Sequence, residues 1–87
     1  MLREYMLVRF SKKTGKIDAC LEGMGKGLLK LWALQNTTSK SKDTIVFDKV
    51  TGEIDTYYEG TGDFPEITKG GNIEDYCEGF LAAIQTE

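Results

Sequence analysis

The chain has 87 residues, a formal net charge of -3, two cysteines and no histidine. This length allows one domain with a modest core, and no apolar run approaches the ~18 residues that a membrane-spanning helix needs. Without histidine the chain lacks the commonest general base, and two cysteines are too few for a structural zinc site. We therefore expect a non-enzymatic protein that carries no metal or cofactor.

The first residues do not have the pattern of a signal peptide. Arg3 and Glu4 interrupt the apolar residues at the start of the chain, and no small-residue cleavage site follows an apolar stretch. We therefore expect the protein to remain in the cytoplasm, without a membrane-spanning segment.

Charge is divided unevenly between the two halves of the chain. Residues 1–42 carry nine lysines and arginines and three acids, a net charge of +6, whereas residues 43–87 carry two lysines and eleven acids, a net charge of -9. Solvated surfaces need charge of some sign, so this pattern has an ordinary explanation. An asymmetry of this size also indicates an interaction, either with a partner or between two copies of the chain.

A short phrase occurs twice, as KTGKIDACLEGMG from Lys13 and as VTGEIDTYYEGTG from Val50. The two copies align without gaps when Gly15 is placed on Gly52, an offset of 37 positions. A match at a fixed offset indicates a duplicated supersecondary unit. We predict a single domain of residues 1–87 with internal repeats at 5–35 and 43–86 and a polar linker at 36–42.

Each repeat is predicted to begin with a β-hairpin. Apolar residues alternate with polar ones on both sides of a Thr-Gly turn, as in strands with one buried face. Glycine at the end of the turn supplies the positive φ that closes such a hairpin with a bulge. With a four-residue loop, the predicted cross-strand pairs are Phe10 with Ile17, Val8 with Ala19, and Arg9 with Asp18.

A helical pattern follows each hairpin. The first, from Lys26 to Gln35, has an apolar arc wider than one stripe, so it is either deeply buried or offers a second surface to a partner. The second begins at the N-cap Asn72 and continues as a clean apolar stripe, after an irregular connection from Gly60 to Gly71. We predict an α+β fold, a duplicated ββα-ββα chain whose four-stranded antiparallel sheet has both helices on one face.

This arrangement leaves the other face of the sheet open. That face would carry apolar and aromatic side chains surrounded by acids, a composition typical of protein interfaces. We therefore interpret the protein as a small acidic interaction module, an inhibitor or adaptor whose second half engages a basic, nucleic-acid-binding surface of another protein. Phages and mobile elements carry small acidic proteins that block nucleic-acid enzymes, and the analogy with them is one of size and charge only. The expected partner-binding residues are Asp18, Glu22, Asp55, Tyr57, Glu59 and Asp63.

Two alternatives stay open. The glycine loop Gly23–Gly27 lies between a predicted strand and a predicted helix and could bind a nucleotide or phosphate through Gly23, Gly25 and Lys26, although it is not a Walker A motif. The chain could instead be a homodimeric structural protein. Direct binding of nucleic acid is not expected, because the overall charge is acidic and no RNP-like motif occurs.

Overall fold

A computed structural model describes residues 3–85 as an α+β fold around one antiparallel sheet. The elements in chain order are β1 (Tyr5–Ser11), β2 (Ile17–Leu21), α1 (Lys26–Asn36), β3 (Lys42–Asp48), β4 (Ile54–Glu59), β5 (Glu66–Thr68), a 3-10 turn (Ile73–Asp75) and α2 (Phe80–Gln85). The strands lie in the order β2-β1-β3-β4-β5. Residues 1, 2, 86 and 87, which the predicted domain and second repeat include, lie outside the described residues.

The sheet has five strands where four were predicted. The additional strand, β5, lies within the segment that was predicted to be an irregular connection, and it pairs antiparallel with β4. It has only three residues and follows Pro65 directly. A proline with three extended residues after it is a weak signal for a strand, although proline is tolerated beside edge strands.

The two hairpins share the same hydrogen-bonded turn. In each, the last residue before the turn donates its N–H to a carbonyl beyond it, and the turn glycine donates back across the turn. The donor–acceptor pairs are Ser11–Lys16 and Gly15–Ser11 in the first hairpin, and Asp48–Glu53 and Gly52–Asp48 in the second, with N···O distances of 2.8–3.0 Å. Both glycines have positive φ, 72° and 79°. The repeated phrase therefore forms the same turn twice, as predicted.

Each hairpin also contains a β-bulge at the aspartate of the repeated phrase. Across the first hairpin the paired residues are Phe10–Ile17, Arg9–Ala19 and Val8–Cys20. The Phe10–Ile17 pair is confirmed, whereas the predicted pairings of Val8 with Ala19 and of Arg9 with Asp18 are wrong, because Asp18 is skipped as an extra residue. Such an extra residue moves the following side chains to the opposite face of the sheet.

The second hairpin repeats this irregularity at the equivalent position. The register passes from Phe47–Ile54 to Val46–Thr56, which skips Asp55. As a result, Ile54 packs on one face of the sheet and Tyr58 packs on the other.

The two helices cover opposite faces of the sheet, so the prediction that both lie on one face is wrong. Leu29 and Ala33 of α1 pack against side chains that include Leu7 and Val46. The 3-10 turn and α2 pack against the other face, where the buried residues are Met6, Val8, Phe10, Ile45, Phe47 and Ile54. Leu7 and Val46, which strict alternation places on the face that was expected to be open, are both 0% exposed. Neither face of the sheet's centre is open.

Only the hairpin half of the predicted repeat recurs in the structure. The first hairpin leads directly into α1, which has 11 residues. The second leads into β5 and a 3-10 turn before α2, which has six residues. The duplicated ββα unit is therefore not confirmed. Within the described part of the chain, no helix combines the length and the apolar composition that crossing a membrane would require.

Candidate functional site

Asp18 of β2 forms ion pairs with two cations, one on β1 and one on β3. The Arg9 Nε lies 2.9 Å from one carboxylate oxygen and the Lys42 Nζ lies 2.9 Å from the other. Hydrogen bonds from Arg9 and Lys42 lower the pKa of Asp18 to about 2. Arg9 also donates to the Asn36 carbonyl at 3.0 Å and lies over the Trp32 ring. Asp18 thus joins the bulge in β2 to β1, to β3 and, through Arg9, to the end of α1.

Asp55, the aspartate of the second bulge, connects β4 to α1. Its carboxylate lies 3.3 Å from the Lys26 Nζ and 3.4 Å from the Lys30 Nζ. Burial favours the neutral acid, but the Thr56 hydroxyl, which donates at 2.8 Å, and the two lysines together lower the pKa of Asp55. The charge of Asp55 is therefore neutralised largely by contacts within the fold.

Glu22 and Tyr57 also have partners inside the chain. Glu22 lies 3.0 Å from the Lys49 Nζ. The Tyr57 hydroxyl donates to the Asp43 carboxylate, and burial together with this carboxylate raises the pKa of the phenol. Tyr57 packs on the α2 face of the sheet, whereas Asp55 reaches the lysines of α1 on the other face. The six predicted partner-binding residues therefore do not form one surface.

Glu59 and Asp63 lie together at one end of the sheet, where acids are concentrated. In the register of the strands, Glu59 pairs with Asp43 on one side and with Glu66 on the other. Like charges directly opposite each other destabilise a sheet. Among the described residues, Lys12 is the only cation that forms ion pairs with these acids, 3.4 Å from Glu59 and 3.5 Å from Asp43. Glu66 and Asp63 have no ion pair in this part of the chain.

The loop between β4 and β5 holds a phenylalanine in solvent beside these acids. Phe64 is 78% exposed, and Ile67 in β5 is 52% exposed. The Thr61 hydroxyl donates to the Phe64 carbonyl at 2.6 Å, and the next residue, Pro65, is buried. The hydrogen bond and the buried proline both restrain the backbone at the carbonyl of Phe64. We call this end of the sheet the β5 corner: it comprises Glu59, Asp63, Phe64 and Glu66, and Ile67, which pairs with Tyr58 and so lies on the opposite face from Glu66.

Sequence reasoning identified two residues of the β5 corner and missed three. Phe64, Glu66 and Ile67 were missed because their segment was interpreted as an irregular connection. The available signal was weak, since it consisted of one aromatic residue before a proline and a three-residue alternation after it. Apart from Pro65, residues 61–68 are all exposed, so the segment has no buried face that an apolar pattern could indicate.

The second predicted site lines a cavity at the start of α1. Gly23, Gly25 and Lys26 are among its residues, and its volume is about 400 Å³. The N-cap of α1 is Gly25, which provides no side-chain cap to the first-turn N–H groups. Such N–H groups favour anions. The cavity wall also contains acids, however, and two of its lysines already have acidic partners, Lys26 with Asp55 and Lys49 with Glu22.

Neither a metal site among the described residues nor a similar known protein indicates a function. In residues 3–85, no group of three or more histidine, cysteine, aspartate or glutamate side chains is arranged to hold a metal ion. Comparisons with protein-family models, curated proteins and solved structures found no match.

Proposed function

We propose that this protein is a non-enzymatic interaction module that engages a basic surface of another protein through the β5 corner. The observation that supports this proposal is Phe64, which is exposed in a hydrogen-bonded loop beside Asp63 and Glu66, two acids that form no ion pair within the described residues. Folding does not explain this arrangement, because an exposed phenyl ring contributes little to a core and adjacent carboxylates repel each other.

The composition of the β5 corner suits binding to a protein. Aromatic side chains are frequent anchors in interfaces, and they contribute most when they enter a desolvated pocket of the partner. A loop that is partly restrained before binding loses less conformational entropy on binding than a free one. Carboxylates around the anchor favour a positively charged partner and repel an acidic one.

This chemistry defines the proposed partner. It has lysines or arginines placed to meet Asp63 and Glu66, and an apolar recess for the Phe64 ring. A groove that binds nucleic acid on another protein offers the required positive charge, so the module would act as an inhibitor or adaptor at such a groove. A cytoplasmic setting belongs to the same proposal, as does the analogy with small acidic inhibitors of phages and mobile elements.

The test is affinity capture from the native host, followed by mass spectrometry and by titration with the purified partner. The test variant carries Asp63→Lys and Glu66→Lys, and the matched control carries Glu53→Lys and Glu78→Lys at exposed acids elsewhere. Both pairs change the formal net charge from -3 to +1. We expect the test variant to lose the partner and the control to retain it.

A variant with Phe64→Ser completes this experiment, because it removes the anchor without changing any charge. We expect it to weaken binding at least tenfold. If the same partner binds both the Asp63/Glu66 variant and the Phe64 variant as tightly as the wild type, the β5 corner is not the binding site.

A second candidate function is binding of a nucleotide or phosphate at the start of α1. The cavity of about 400 Å³ beside Gly23, Gly25 and Lys26 favours it, since this volume is in the range of small-ligand sites. Thermal denaturation with and without nucleotides tests it, and Lys49→Gln should reduce the shift that the ligand produces. If no nucleotide raises the unfolding temperature, this candidate fails.

A further inference from the structure

Helix α2 is held to the fold less firmly than α1. It has six residues, and an isolated helix of this length is not stable in water without tertiary packing. Its Phe80, Leu81 and Ile84 side chains pack against the apolar cluster of the sheet but are only partly buried. In α1, by contrast, Leu29 and Ala33 are fully buried against the other face. The packing that keeps α2 in place is therefore partly open to solvent.

The 3-10 turn that precedes α2 is anchored to the second hairpin. Ile73 is 0% exposed, and its N–H donates to the Gly52 carbonyl at 2.8 Å. The Cys77 N–H donates in turn to the Ile73 carbonyl at 2.8 Å, which extends the anchored backbone to Cys77. The transition from anchored to weakly held chain therefore lies between Cys77 and Phe80.

Gly79 lies at this transition. Its φ is 79°, a conformation that residues with a side chain rarely adopt. A Cβ there would meet no atom within 4 Å, so the backbone conformation, and not close packing, requires glycine. Glycine also has more backbone conformations available than other residues. The chain can therefore turn at Gly79 without a clash with its surroundings, as a hinge must.

The Glu74 carboxylate connects the anchored turn to α2. It accepts hydrogen bonds from the N–H groups of Leu81 and Gly79, both at 2.9 Å. These two donors stabilise the charged carboxylate and so lower the pKa of Glu74. Because the contact reaches across the hinge from the anchored side, it can break without any change in the sheet.

We propose that α2 is a lid that opens at Gly79 while the sheet and the 3-10 turn stay folded, and that Glu74 is the latch that holds it closed. A segment with partly exposed packing opens at a lower free energy than the core of a protein. The open state uncovers Phe47, which is 0% exposed and packs edge to face against the Phe80 ring at 5.8 Å. This apolar surface of the sheet is therefore accessible only when the lid is open. Since its exposure to water is unfavourable, the open state is the minor one.

Native-state hydrogen exchange at low concentrations of urea tests the proposal. One reporter is the Ala83 N–H in the lid, which donates to the Gly79 carbonyl at 3.1 Å, and the other is the Cys77 N–H on the anchored side. After correction for intrinsic rates, we expect Ala83 to exchange at least roughly tenfold faster than Cys77. Its exchange should also depend less on urea, because opening of the lid exposes less surface than unfolding of the whole chain.

A Glu74→Gln variant tests the latch, because it removes the charge and one of the two acceptor oxygens. We expect its Ala83 N–H to exchange about fivefold faster than in the wild type. The matched control is Glu78→Gln, which removes the same charge from an exposed neighbour that forms no ion pair in the described part of the chain. This control should exchange like the wild type, and far-UV circular dichroism verifies that both variants are folded.

Two results would overturn the proposal. If Ala83 and Cys77 exchange at the same corrected rate and with the same dependence on urea, α2 opens only when the whole fold opens. If Glu74→Gln leaves the exchange of Ala83 unchanged, or if Glu78→Gln speeds it equally, Glu74 is not the latch. None of these measurements involves the β5 corner or its partner, so the proposed function is tested separately.

Discussion

At the scale of single residues, the acids of this chain serve different purposes. Asp18 and Asp55, at equivalent positions of the repeated phrase, both occupy bulges and both bind two cations of the chain. Asp63 and Glu66 have no such cations among the described residues. The outward aspartates that first suggested a binding face therefore contribute to the fold, and the acids that folding does not explain lie elsewhere.

The role of Asp18 predicts how stability depends on pH. The pKa of Asp18 is about 2 in the folded chain, against an ordinary value of 3.8. Its contribution to the free energy of unfolding is therefore complete above pH 3.8 and is lost as the pH falls towards 2. Asp18→Asn should lower the free energy of unfolding by about 1 kcal/mol at neutral pH, because the pairs are partly exposed and screened.

Urea denaturation of the wild type and the Asp18→Asn variant between pH 6 and pH 2 measures this contribution. The difference between the two proteins should be constant above pH 4 and should decrease as pH falls below it. A difference that stays constant down to pH 2 would show that the Arg9 and Lys42 contacts do not stabilise the fold.

Two glycines allow the same substitution to be tested with opposite expected signs. Gly27→Ala should raise the free energy of unfolding by about 0.5–1 kcal/mol, because alanine favours a helix and its Cβ meets no other atom. Gly52→Ala should lower it, because φ is 79° and the Cβ would lie 2.6 Å from the Asn72 Oδ1 and the Leu81 Cδ1.

Thermal and urea denaturation measure both glycine variants. A loss of stability in Gly27→Ala would mean that the fold requires glycine at this position of α1, contrary to the open space around it.

At the scale of whole elements, the sequence predicted local structure better than it predicted which face of the sheet each helix covers. Both turns were predicted correctly, because Thr-Gly closure depends on a few adjacent residues. The bulges were missed, since strict alternation has no place for a skipped residue such as Asp18. The position of α1 was also missed, although Met6-Leu7-Val8 and Ile45-Val46-Phe47 are continuous apolar runs, which favour strands buried on both faces.

The position of α1 predicts unequal costs for two leucine substitutions. Leu7 is 0% exposed in the cluster that α1 covers, so Leu7→Ala should lower the free energy of unfolding by about 2–5 kcal/mol. Leu31→Ala, on the outward side of the helix, should change it by no more than about 0.5 kcal/mol. Urea denaturation of the two variants measures the contrast, and equal costs would contradict the described position of α1.

At the scale of the whole molecule, part of the charge asymmetry is neutralised inside the fold. Lys12, Lys26 and Lys30 from the basic half pair with Glu59 and Asp55 from the acidic half. The repulsion within each half is reduced by these contacts, which also hold the two halves together. The unequal halves therefore need no partner to explain them, and only the acids left without cations bear on binding.

The arrangement of the β5 corner predicts that its acids and its aromatic anchor affect different rate constants for the captured partner. Asp63 and Glu66 act at a distance, so raising the ionic strength from about 0.1 M to about 1 M, which shortens the screening length from about 10 to about 3 Å, should lower the association rate constant roughly tenfold or more. Phe64→Ser removes a short-range contact and should raise the dissociation rate constant at least roughly tenfold, with little change in association. Surface plasmon resonance measures both constants. If the salt effect appears only in dissociation, or if Phe64→Ser mainly slows association, the acids do not guide the encounter and Phe64 is not the anchor.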